Sequence, residues 1–139
     1  MREEHWYIMK GDDFLTRDYE IDLSVGEKNG TVIKLIGKDI VITLNFGNVR
    51  AIRLLDEGLV QKYLYENVYI NGEKGDSFDH LFYKAENSEF FDFVNKVSCN
   101  MAKMLEVKHY IILTMNYNIE ILTEFEPDIQ VNRSGRKMK

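Results

Sequence analysis

Cysteine, proline and long apolar runs are nearly missing from this chain. Cys99 is the single cysteine in 139 residues, so no internal disulfide can form and no Cys/His cluster offers a zinc site. A lone thiol fits a reducing compartment, and the expected location is cytoplasmic. Pro127 is the single proline, which leaves no Pro-rich linker. No stretch approaches the roughly 18 apolar residues that a membrane helix needs. The segment from Met1 to Trp6 has no apolar run of the signal-peptide kind. The three histidines, His5, His80 and His109, form no HxH or HExxH pattern. These absences argue against disulfide scaffolds, zinc modules and membrane helices, and the sequence predicts neither a cofactor nor a bound metal.

What remains is an ordinary globular composition, 45% apolar and 29% charged, at a length expected for one domain. Net charge is -5, and the segment 132–139 holds Arg133, Arg136, Lys137 and Lys139 with no acid. Removing those four from the 18 Lys and Arg leaves 14 against 23 acids, a body charge of about -9. Such a body repels nucleic acid phosphates and attracts a basic protein. The plain alternative is that acidity serves solubility alone. Residues 1–131 are read as a single α+β domain, and 132–139 as a basic tail without fixed structure.

Apolar spacing organises the body. His5–Lys10 reads as a first strand. Tyr19–Val25 alternates cleanly, with Tyr19, Ile21, Leu23 and Val25 facing inward. Asn29-Gly30 marks a hairpin. The ribbon Thr31–Leu55 follows, with Ile33 and Leu35 matching Ile40, Ile42, Leu44 and Phe46 on one face. Gly47-Asn48 fits either a turn or a bulge inside one long strand, and the reading favours the bulge. Leu59–Glu66 suits one or two helical turns, Asn71–Asp79 a loop and Leu81–Lys84 another strand. Asn87-Ser88 caps the main helix, about 88–105, whose stripe is Phe90, Val94, Val97, Met101 and Met104 or Leu105. Val107–Met115 and Ile119–Thr123 form a final antiparallel pair, closed by Pro127. The expected architecture is a twisted, largely antiparallel sheet of about six to eight strands with one helix on one face.

No segment supplies a catalytic set. Cys99 on a helix beside the buried stripe reads as a small hydrophobe, and His109 in an apolar strand as a satisfied sheet residue. Asp76, Asp79 and His80 match no calcium-loop spacing, and Asn71–Gly75 lacks the phosphate-loop spacing. Two acidic groups stand out. Glu120, Glu124, Glu126 and Asp128 crowd the last strand and its exit and read as an exposed edge. Asp56 and Glu57 end the ribbon near Glu66. With Tyr63 and Tyr65, these residues are the candidate partner-binding surface, because Tyr supplies rigid contact area with a polar tip.

The stretches Ile42–Gly58, Tyr83–Val94 and His109–Ile129 resemble small uncharacterised proteins of low-GC Gram-positive bacteria, some of which are similar to immunity proteins of polymorphic toxin systems. The resemblance implies a cytosolic antidote that occludes a toxin domain, and it carries no active-site motif to transfer. The leading expectation is therefore a non-enzymatic protein that binds a basic protein through an acidic, Tyr-rich surface. It would be monomeric or a homodimer and would engage neither nucleic acid nor membrane. Two alternatives stand beside it. One is a small hydrolase or metal-dependent enzyme using Asp76, Asp79, His80 or the Glu120–Asp128 acids. The other is a structural homo-oligomer paired through a sheet edge or the ribbon.

Overall fold

The computed structural model describes residues 3–9, 18–56, 67–74 and 80–133. Within them the chain is α+β, with eleven strands in two sheets and two short helices. The strands are β1 (Glu4–Ile8), β2 (Glu20–Gly26), β3 (Gly30–Ile36), β4 (Ile40–Gly47), β5 (Ala51–Asp56), β6 (Val68–Ile70), β7 (Glu73–Lys74) and β8 (Phe82–Glu86). After helices α1 (Glu89–Val97) and α2 (Met101–Met104) come β9 (Lys108–Leu113), β10 (Tyr117–Thr123) and β11 (Asp128–Arg133).

The sequence predicts one sheet, and the strands divide into two. The larger is mixed, in the order β5-β10-β9-β8-β1-β6-β7, with β1 and β6 its parallel pair. The smaller is antiparallel, in the order β11-β4-β3-β2. Strand alternation explains their stacking. Ile33, Leu35, Ile42, Leu44 and Phe46 line one face of the smaller sheet. They pack against Tyr110, Ile112, Ile119 and Ile121 of the larger. Phe46 meets the rings of Phe82 and Tyr110 at 6.4 and 5.7 Å. The opposite face of the larger sheet buries Trp6, Tyr83, Ile111 and Leu113. Beside them Leu122 lies with Phe90 and Ala102 of the helices. With both faces covered, β9 and β10 are buried along nearly their whole length. Each fully buried Ile among them contributes about 1.5–3 kcal/mol.

Gly47 is where the ribbon changes sheet. A register shift against Thr31 and Val32 places a bulge here. Gly47 has a φ of 68° and lies so close to Gly30 that a Cβ on Gly30 would sit 2.6 Å from its carbonyl carbon. The run beyond the bulge does not continue the strand's pairing, as the sequence reading favours. It crosses to the larger sheet and pairs with β10. Residues 124–127 make the second crossing, from β10 to β11. Arg50 and Glu124 join the two crossings through paired bonds of 2.8 and 2.9 Å, and the Arg50 N–H donates to the Leu122 carbonyl at 2.8 Å.

Three further expectations change. Val25 is exposed, at the end of edge strand β2. The expected helix 88–105 is two helices: α1 ends with Cys99 and Asn100 in left-handed conformation, at φ 55° and 70°. Their N–H groups bond the carbonyls of Lys96 and Asn95, the double bond of a helix-ending Schellman motif. That break rephases the apolar stripe. Phe90 and Ala102 are buried and Val94 and Leu105 pack against them, whereas Val97, Met101 and Met104 turn outward and Cys99 is exposed. Finally, Asn132 and Arg133 belong to β11, paired with Val41 and Ile40, so ordered strand continues past the predicted boundary at 131. The expected turns at 59–66 lie outside the described residues.

Candidate functional site

The helix-bearing face of the larger sheet combines a polar relay beneath α1 with an exposed apolar surface above it. Ser88 is the N-cap, and its Oγ accepts from the Phe91 N–H at 3.2 Å. The same Oγ lies 2.6 Å from His109 Nδ1 on β9, and His109 Nε2 lies 2.9 Å from Glu120 Oε1 on β10. Glu120 Oε2 accepts from Arg53 Nη2 and Nε on β5 at 2.6 and 3.0 Å. Arg53 Nη1 then reaches Glu89 of α1 at 3.0 Å, with its guanidinium carbon 4.6 Å from the centre of the Phe90 ring. With Nε2–H donating to Glu120, Nδ1 and the Ser88 hydroxyl share the remaining bond whichever of them carries the proton, so each group is satisfied. Ser88, His109 and Glu120 are 2%, 2% and 1% exposed.

Glu4 on β1 adds a second cap. Its Oε2 accepts the Glu89 N–H at 2.9 Å, and its Oε1 accepts from Trp6 Nε1 at 3.1 Å. The two buried carboxyls are tuned in opposite senses. Burial pushes Glu120 up, but its bond to His109 and the charges of His109 and Arg53 outweigh burial and hold it below the usual range. For Glu4 burial is also the largest influence. The bonds from Glu89 and Trp6 offset it only partly, the Glu120 charge adds to it, and the carboxyl lies above its usual value. Arg53 is disfavoured by burial and more than restored by Glu120 and Glu89, so it stays charged.

Ser88, His109 and Glu120 have the connectivity of a nucleophile, a base and an orienting acid. As placed, the serine oxygen serves as a helix cap. The relay's evident chemical work is to fix the N-terminus of α1 on the sheet. Above it, four large apolar side chains face solvent: Phe93 (57% exposed), Val97 (66%), Met101 (48%) and Met104 (73%). Phe93 and Val97 share one face of α1 at i, i+4, and Met101 and Met104 share one face of α2 at i, i+3.

The acids expected to form one surface are divided. Glu120 is not at an exposed edge. It alternates with Ile119 and Ile121, so it points to the helix side of a sheet covered on both faces. Asp56 is exposed at the end of β5, opposite Tyr117, the first residue of β10. Glu124, paired with Arg50, follows the last residue of β10, so about 20 Å of strand separates the two ends. Glu126 and Asp128 are exposed near Glu124. Glu57, Tyr63, Tyr65 and Glu66 lie outside the described residues, as do Asp76 and Asp79. Among the described residues no group of three His, Cys, Asp or Glu could hold a metal ion, and no helix is long and apolar enough to cross a membrane.

The sequence reading misses Arg53, Glu4 and the pairing of Ser88 with His109. One signal for the relay is present: His109 and Glu120 are ionisable residues embedded in two apolar strands joined by a short turn. A hairpin register brings them within reach of each other. No family model, curated protein sequence or solved structure matches the chain.

Proposed function

We propose that this protein acts by binding another protein through its helix-bearing face, without catalysing a reaction. The observation that carries this is the solvent-facing set Phe93, Val97, Met101 and Met104 on helices whose other side is packed on the sheet. Large apolar side chains grouped in water mark interaction surfaces. Phe and Met are enriched in such surfaces, and Met adapts its shape to the partner. The relay under α1 holds the face in place before binding, which reduces the ordering cost of association. The body charge near -9 favours a basic partner through long-range attraction.

The finer form of this reading is an immunity-type inhibitor that covers a basic toxin domain. In that form the acidic body steers encounter, and the apolar helix face replaces the single acidic, Tyr-rich patch as the anchor. Co-expression with the product of the adjacent gene tests it. Growth should be rescued by the native protein and not by the Phe93→Asp/Met104→Asp variant, whose melting temperature should be nearly unchanged. Failure of the native protein to rescue would remove the inhibitor form. Rescue by the folded double variant would remove the helix face.

A second reading, a small serine hydrolase, is favoured by one observation, the Ser88–His109–Glu120 connectivity. A fluorophosphonate probe separates the two. Labelling abolished by Ser88→Ala would establish the hydrolase, and the binding reading expects the native protein to stay unlabelled.

A further inference from the structure

We infer that strand β11 pairs with β11 of a second copy of this chain, joining the two smaller sheets into one of eight strands across a two-fold axis. The inference concerns the sheet edge and is independent of the helix-face reading. Among the described residues β11 is hydrogen-bonded on one side only, to β4, in an unbroken register. All six of its residues are exposed. It carries no lysine, proline or bulge, the features that usually protect an edge from pairing.

Its side chains favour a copy of itself. Ile129 and Val131 stand opposite Leu44 and Ile42, so they point to the core side of the sheet, yet they are 39% and 40% exposed. A two-fold axis perpendicular to the sheet at Gln130 keeps the faces aligned. It sets Ile129 opposite Val131 of the second copy, and Asp128 opposite Asn132, with no like charges facing. Centring the axis on Val131 would instead oppose Ile129 to Arg133. In the Gln130 register each Arg133 falls opposite Pro127 of the other copy on the core-side face, while Asp128 and Asn132 meet on the outer face. The opposite edge, β2, lacks this complementarity. Its charged residues, Glu20 and Asp22, are both acids with no basic residue in the strand, and a two-fold pairing centred on its middle residue, Leu23, sets them opposite Gly26 and Ser24.

The register makes a sharp test. Directly opposed residues in an antiparallel pair have Cα atoms about 4.5–5.5 Å apart, within disulfide range. In the full chain carrying Cys99→Ser, adding Gln130→Cys should give a reducible species of twice 16.4 kDa under mild oxidation. Ser24→Cys on edge β2 should remain single. The native chain should show a concentration-dependent dimer by sedimentation, lost in Ile129→Lys/Val131→Lys. Cross-linking at Gln130 no greater than at Ser24 would overturn the proposal. So would a native chain that stays monomeric at about 1 mM, the weak limit of specific pairing.

Discussion

Glu120 accepts from two cationic or potentially cationic groups while sealed from water, and that makes it the residue on which the helix face depends. Removing one partner of a buried ionic cluster costs about 3–5 kcal/mol, because the charges left behind lose their compensation. Glu120→Gln should lower stability by that amount at pH 7, as read by urea denaturation. The folded carboxyl titrates below its ordinary value of 4.5. Its stabilisation is therefore present above 4.5 and lost as pH falls through the folded value. The gap between native protein and variant should narrow below pH 4.5, and a gap constant to pH 3 would contradict the assignment. Glu4 works the other way. Its raised value favours the folded state below 4.5, and that contribution is lost as pH rises through the folded value. Tyr110 offers a contrasting case. Among the described residues its buried hydroxyl has no hydrogen-bond partner, and burial, with the Glu126 charge, pushes the phenol up to about 12. Tyr110→Phe removes an unpaired polar group and should raise stability by about 1 kcal/mol with an unchanged denaturant slope. A clear loss would show that the hydroxyl has a partner in solution.

The helix pair shows why part of the site was legible in the sequence and part was not. Ser88 as N-cap, Phe90 and Val94 as packed positions, and the strands β3, β4, β9 and β10 follow from local pattern. The turn after Val97 does not. Cys99 occupies the left-handed position that ends a Schellman motif, where glycine is usual, so the 3–4 spacing continues past a break that no residue type announces. Val97, Met101 and Met104 consequently read as core and stand in water. Cys99→Gly should relieve the left-handed strain and raise the unfolding free energy by roughly 1 kcal/mol. Cys99→Val should lower it, and equal melting temperatures for the two variants would count against this account. β11 was illegible for another reason. Asp128-Ile129-Gln130-Val131-Asn132-Arg133 is too polar to signal burial, and its strand state comes from β4, more than eighty positions earlier. Glu120 misled in a similar way, since an acid in a strand reads as an edge until its partners are known.

At the scale of the molecule, the two sheets are closed by strands from the end of the described chain: β10 covers β5, and β11 covers β4. Ending the chain after Pro127 should therefore expose the backbone of β4 and uncover Leu44 and Ile42. The expected result is a loss of several kcal/mol with a smaller denaturant slope, since less surface is buried. Retention of full stability would mean that β11 is only an appendage. The clasp between Arg50 and Glu124, which joins positions 74 apart, also has a temporal meaning. During synthesis β4 is complete at Gly47, but the strand that covers it ends at Arg133, 86 positions later. At about 5–20 residues per second, the nascent chain carries an open strand edge for on the order of ten seconds. A growing polypeptide with such an edge is a ready template for its neighbours on the same message. The same geometry that lets two finished copies pair thus makes the interval before completion the period of greatest exposure to misassembly.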